Sequence, residues 1–227
     1  MFEIEHVLTV ENEVGESPRW DAEEQALYWL DIWDNPAVFR LDPATKAFTR
    51  WSPGLPVTGQ ARRAGGAWPS GGFVFATRKG LYFWDEQTGQ SQFIHDPEAD
   101  NRPVRFNDGS ADRMGRFWAG STYADDQFRP EGSLYRMDVD GSVHKMAGGL
   151  ACSNGLGWSP DNRTMYVTAQ FAYELLAFDF DPATGEIANR RSFARVPESE
   201  GLPDGLTVDA EGCVWSAQWG GWRITRY

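Results

Sequence analysis

The sequence predicts an all-β fold, a propeller of four-stranded antiparallel blades, on three observations. A pattern of polar dipeptide, tight turn and aromatic strand is written five times along the chain. The copies follow one another at 48, 43, 47 and 50 residues, and a period of about 40–50 residues in a chain of short strands marks a propeller or a solenoid. Four strands fit between successive copies, which is the anatomy of a propeller blade. No apolar stretch at helical spacing stands out, which argues against an α/β fold.

Taken in order, residues 2–10 (FEIEHVLTV) alternate loosely and read as a lone strand ahead of the first repeat. The repeats then start near Glu16, Ala64, Asn107, Asn154 and Asp204, each standing five residues before Asp21, Pro69, Asp112, Ser159 and Asp209. A Gly/Asp/Asn/Pro turn follows, and then an aromatic strand such as Phe117-Trp118-Ala119. Third strands are expected at Val38–Leu41, Leu81–Trp84, Leu134–Met137 and Leu176–Phe180, each running into an Asp/Pro/Gly hairpin such as Asp181-Pro182-Ala183-Thr184-Gly185. Fourth strands follow at Phe48–Trp51, Gln92–Ile94, Val143–Met146 and Ile187–Phe193. The bulky residue four past each repeat start (Trp20, Trp68, Trp158, Val208) is expected to fill the seam between blades. The fifth copy reaches Tyr227 after about half a blade. An unclosed propeller leaves an edge unpaired, so either further chain or the N-terminal strand with a partner is expected to cover it.

Composition bounds the function. At 227 residues with 41% hydrophobic content, the chain reads as one propeller domain over 1–227, large enough to bury a core. A formal charge of −12 disfavours nucleic acid and anionic membrane, and suits a neutral or cationic small ligand or a metal ion. No apolar run approaches the ~20 residues that span a bilayer, and the first residues lack the basic and apolar regions of a signal peptide. Cys152 and Cys213 make no disulfide framework, so a reducing cytoplasm is the expected location. No obligate protein partner is implied.

Inner strands of a propeller line one channel, so residues in equivalent register converge there. Glu16, Asn107, Asn154 and Asp204 share that register, and two carboxylates with amide oxygens suit a hard divalent cation. Asp108-Gly109, Asn154-Gly155 and Asp204-Gly205 also read as ordinary turn dipeptides. Glu16 escapes that explanation, because Glu is a poor turn former. Covalent catalysis finds no support: there is no Gly-x-Ser-x-Gly elbow, Cys152 has no neighbouring His and reads as packing, and His6, His95 and His144 are scattered.

Gly15-Glu16-Ser17-Pro18, Arg105-Phe106-Asn107-Asp108-Gly109, Ser153-Asn154-Gly155-Leu156 and Pro203-Asp204-Gly205-Leu206 resemble, in the same order, the signatures of the senescence marker protein (regucalcin)/gluconolactonase family. The resemblance implies a six-bladed propeller whose last blade is missing or truncated in this chain, and a metal-dependent sugar lactonase. It implies one divalent ion (Ca, Zn, Mg or Mn) held by Glu16, Asn154 and Asp204, with Asp204 also the general base. Arg105 and Asn107 match substrate-binding positions. Asp125 stands where some members use the longer Glu to contact sugar hydroxyls. Hydrolysis of a glucono-, xylono- or arabinolactone is therefore expected. The alternatives are an esterase or phosphotriesterase at the same metal, and a non-catalytic calcium-binding propeller.

Overall fold

The computed structural model of the protein describes residues 4–63, 71–101 and 103–227. They form five antiparallel sheets in chain order. Blade 1 comprises β1 (Gly15–Asp21), β2 (Ala26–Asp31), β3 (Ala37–Leu41) and β4 (Phe48–Trp51). Blade 2 comprises β5 (Val57–Arg62), β6 (Phe73–Thr77), β7 (Gly80–Trp84) and β8 (Ser91–His95). Blade 3 comprises β9 (Val104–Ala111), β10 (Phe117–Tyr123), β11 (Gly132–Met137) and β12 (Val143–Leu150). Blade 4 comprises β13 (Ser153–Trp158), β14 (Thr164–Ala169), β15 (Glu174–Phe180) and β16 (Ile187–Arg195). Blade 5 has three strands, β17 (Leu202–Val208), β18 (Val214–Trp219) and β19 (Arg223–Arg226). The described residues thus form a propeller of five sheets rather than six, one for each of the five repeats, with the fifth sheet one strand short.

The outer hairpins are local chemistry. Asp42 accepts the amides of Ala44 and Thr45, Asp85 those of Gln87 and Thr88, and Asp181 that of Ala183, each closing the turn between a third and a fourth strand. The core lies in the seams. One apolar cluster joins blades 1 and 2 through Tyr28, Leu30, Phe73 and Trp84; another joins blades 3 and 4 through Trp118, Leu134, Trp158 and Met165. Trp158 is buried there, edge-on to Trp118. Trp20, the equivalent residue of blade 1, is 53% exposed, so it does not fill a seam.

Two further expectations change. Residues 4–12 carry no strand: Ile4 and Val7 are exposed, and this acidic stretch has no apolar face long enough to seat on a sheet edge. The repeat start expected at Ala64, with Trp68, lies outside the described residues, and the inner strand of blade 2 is β5, which ends at Arg62. The connection from β5 to β6 is longer than its counterparts, so counting back from the aromatic strand stops short of the inner strand.

The inner strands β1, β5, β9, β13 and β17 pack side by side in that order. In all five, the pairing with the second strand skips a residue at the same height: between Glu16 and Arg19, at Thr58, at Asn107, between Ser153 and Leu156, and between Pro203 and Leu206. These are β-bulges, which turn a side chain out of the ladder and often stand beside active sites. The Asn-Gly and Asp-Gly dipeptides that read as turns therefore lie within strands. Their glycines answer to close approach: a Cβ on Gly155 would stand 2.3 Å from the amide nitrogen of Leu206 on the next inner strand. Among the described residues no helix is long and apolar enough to cross a membrane.

Candidate metal centre

The bulges bring three side chains from three blades to one end of the channel. Glu16 comes from β1, Asn154 from β13 and Asp204 from β17. The Asn154 amide nitrogen donates to Asp204 Oδ1, and also to Gln170 Oε1 at 3.1 Å. With both amide hydrogens directed that way, Asn154 Oδ1 remains an acceptor for a cation. Burial, and then the nearby charges of Asp204 and Asp108, push the Glu16 carboxyl well above the usual carboxylate range. Asp204 is pushed up by burial and by Asp108, with the Asn154 hydrogen bond opposing. Carboxylates gathered out of water repel one another, and a divalent cation is the natural counter-charge.

Asp108 is a third carboxylate at this end, one that sequence reasoning passed over as half of a turn dipeptide. It is buried, which raises its pKa, while the Arg19 guanidinium and its own bond from the Gly109 amide at 2.7 Å pull the other way. Arg19 reaches from β1 to β9, donating to the Gly109 carbonyl at 3.0 Å. Arg19 and Gly109 stand 90 residues apart, and only the packing of the bulged inner strands brings them together. Thr58, the blade 2 residue at the bulge, donates its hydroxyl to the Ala76 carbonyl at 3.2 Å and is satisfied within its own blade.

The remaining candidates divide. Asn107 donates its amide to the Ser153 carbonyl at 3.2 Å, which ties it to the strand carrying Asn154. Arg105 is half-buried in β9 and donates to the Phe106 carbonyl at 3.2 Å. Burial, and then the charge of Arg78, lower its pKa, while Cys152 acts in the opposite direction. Asp125 is exposed on the β10–β11 loop, and among the described residues no hydrogen bond or ion pair joins it to the others. Burial pushes the Cys152 thiol up to about 12, and its sulfur meets Gln170 Oε1 at 3.3 Å, as expected of a packing residue. His6, His95 and His144 are all exposed.

A second group of possible ligands, Asp209, Glu211 and Cys213, has its donor atoms within 4.8 Å of one another at the far end of β17. Asp209 there accepts the Trp215 indole at 2.7 Å and Arg226 at 2.8 Å, and Glu211 pairs with the same arginine. That group already has its counter-charge.

The family described as SMP-30/Gluconolactonase/LRE-like region matches residues 14–227. Human regucalcin is 37% identical over 234 residues, covering 99% of this chain and 75% of that protein. A putative sugar lactone lactonase, YvrE, of Bacillus subtilis strain 168 is 32% identical over 211 residues, covering 93% and 70%. The solved structure of a calcium-binding protein, regucalcin, from Agrobacterium tumefaciens superposes with a TM-score of 0.84 at 25% identity, covering 95% of this chain and 71% of that one. With the match running through all five sheets and the bulged inner strands, the chain belongs to the SMP-30/gluconolactonase/LRE-like family.

Proposed function

We propose that the protein is a metal-dependent hydrolase that opens a sugar lactone, with glucono-, xylono- or arabinolactone as the substrate class. The carrying observation is the convergence of Glu16, Asn154 and Asp204 at one channel end, with the pKa of both carboxyls raised. Family membership and the similarity to a putative sugar lactone lactonase support the same reading.

The donor set fits a divalent cation, since two carboxylates and an amide oxygen are hard ligands whose charge one M²⁺ offsets. Ca²⁺, Zn²⁺, Mg²⁺ and Mn²⁺ are all accepted by such a set. When bound, the ion supplies Lewis-acid polarisation of the lactone carbonyl and of a water beside it. Asp204 takes the water's proton on a carboxylate oxygen and returns it to the ring oxygen as the ester bond breaks. Arg105 donates to the carbonyl or to ring hydroxyls. Asn107, whose amide hydrogens face Ser153, offers its Oδ1 as an acceptor to a hydroxyl. Asp125, on its exposed loop, contacts the sugar from the rim. Two free cysteines accord with a cytoplasmic enzyme, and the proposal requires no protein or nucleic-acid partner.

Lactone opening measured by proton release, with and without exhaustive chelation, tests the reading. Hydrolysis is expected to stop on chelation and return with added metal. Turnover indifferent to metal removal and to Glu16→Gln overturns the proposal. Faster hydrolysis of aryl esters or phosphotriesters overturns the substrate class, and tight metal binding without any rate enhancement overturns the enzyme.

A further inference from the structure

Most arginines of the described chain have a carboxylate partner: Arg40, Arg62, Arg116, Arg136 and Arg226 each form an ion pair. Arg19, Arg50, Arg78, Arg105, Arg113, Arg163 and Arg190 are in none of the ion pairs among the described residues, although the chain carries 33 acidic residues against 21 basic ones. Arg50 and Arg78 line one groove of about 670 Å³ between blades 1 and 2, and Arg78 acts on Arg105 through its charge.

The groove lies on the side of the molecule that carries the metal centre. Its walls are the β2–β3 loop and the β4–β5 loop, and the β2–β3 loop leaves β2 next to Leu30, the residue paired with Glu16.

Arg78 is pre-set for an anion. Its guanidinium stands 5.3 Å from the centre of the Trp33 ring, and Nη2 donates to the Ile32 carbonyl at 3.3 Å. Its Nε is buried without a hydrogen-bond partner. On the opposite wall, Arg50 donates to the Ser52 hydroxyl at 3.0 Å. Asp34, exposed, is the single carboxylate of the lining. Arg50 is exposed, whereas Arg78 is half-buried with its Nε unpaired, and a buried donor left without an acceptor is costly unless an anion completes it. The formal charge of −12 does not oppose this, because beyond about 8 Å at physiological salt the remaining charges are screened.

We propose that this groove is a subsite for a second, anionic group of the substrate, a carboxylate or phosphate at the end of the sugar remote from the ring carbonyl. The inference rests on the lactonase reading of the adjoining centre and narrows its substrate class to lactones with a charged tail. Arg78 supplies the planar fork that matches a carboxylate or phosphate with two parallel hydrogen bonds, and Arg50 and Ser52 line the far side.

The test has two arms. In the first, ring-opened products are titrated calorimetrically into the metal-loaded protein: an aldonate with a neutral hydroxymethyl tail, the corresponding dicarboxylate, and the aldonate 6-phosphate. An anionic tail is expected to tighten binding by about tenfold or more, and Arg78→Gln to reduce that ratio to about threefold or less. Whichever of the dicarboxylate and the phosphate binds tighter identifies the anion. In the second arm, kcat/KM is compared for the neutral and anionic-tailed lactones, and Arg78→Gln is expected to lower the anionic-to-neutral ratio at least about fivefold. A binding ratio near one in the unaltered protein, or a ratio untouched by Arg78→Gln, overturns the subsite. If no lactone is opened but the binding ratio and its dependence on Arg78 persist, the subsite stands and the hydrolase reading is the one that falls.

Discussion

Two aspartates on one strand have opposite fates. Asp204, near the start of β17, lies close to Glu16 and Asp108, and burial together with the Asp108 charge raises its pKa. Asp209, just past the other end of β17, is held down at about 2 by the Trp215 indole, the Cys213 amide and Arg226. The residue type is the same and five positions separate them. At the far end every acceptor oxygen has a donor, and the result is a closed hairpin. At the channel end carboxylates are gathered with too few donors, which costs stability and creates a demand for a cation. The propeller thus keeps its structural aspartates at one end of the inner strands and its reactive ones at the other.

Asp204→Asn attacks this contrast at its strongest point. Loss of both a ligand charge and the general base is expected to lower lactone turnover by about 10²–10⁴-fold. In chelated protein the same change is expected to stabilise the fold at alkaline pH. The folded pKa values of Glu16 and Asp204 lie above the unfolded ones, so the folded state holds more protons between the two. Stability of the chelated protein therefore falls as pH rises from the ordinary carboxylate range, about 4, through the raised values. Melting temperatures of chelated protein at pH 5 and pH 8 read this slope, which Asp204→Asn should flatten and saturating metal should abolish. A melting temperature that climbs over that range in chelated protein would break the comparison.

Asp112 extends the structural half of the comparison to a buried site. Its side chain has no exposure and accepts the Met114 and Arg116 amides, the Arg116 guanidinium at 2.7 Å and the Trp118 indole at 3.0 Å. Asp112→Ala leaves Arg116 without a carboxylate, holding only the Pro182 carbonyl, and the Trp118 indole without an acceptor inside a seam, and is expected to cost about 3–5 kcal/mol of stability. Denaturant titration measures it. The folded fraction should keep its metal affinity, since the defect lies at the end of β9 away from the site.

What the sequence makes legible follows from how local each signal is. The third and fourth strands are readable because alternating apolar runs and Asp-Pro-Gly hairpins carry their own instructions, as Asp85 and Asp181 show. The inner strands are harder. Asn154-Gly155 and Asp204-Gly205 have the composition of turns, and only the neighbouring strand, pressed against Gly155, explains the glycine. Register groups Glu16, Asn107, Asn154 and Asp204, because the blades repeat, and the choice of three of them as ligands comes from the family resemblance. It misses Thr58, hidden by a longer β5–β6 connection. It also misses the approach of Arg19 to Asp108, because no local pattern encodes a contact across blades. Trp20 and Trp158 share a register and not an environment, since burial is decided by the neighbouring blade and not by the repeat.

Asp209 gives the smallest expected effect and sets the lower end of the scale. It makes the same kinds of bonds as Asp112, but its partners are half-exposed and Arg226 also reaches Glu211. Water can replace much of what Asp209→Ala removes, so the melting temperature is expected to fall by only about 2–5 °C, against more than twice that for Asp112→Ala. Lactone kcat/KM per folded molecule should stay within about twofold of the unaltered protein, because the substitution lies at the opposite end of β17 from Asp204. Scanning calorimetry beside a lactonase assay separates the two quantities. Were Asp209→Ala to abolish metal binding while leaving the melting temperature in place, the assignment of the two ends would be reversed, and the Asp209, Glu211 and Cys213 group would become the metal centre.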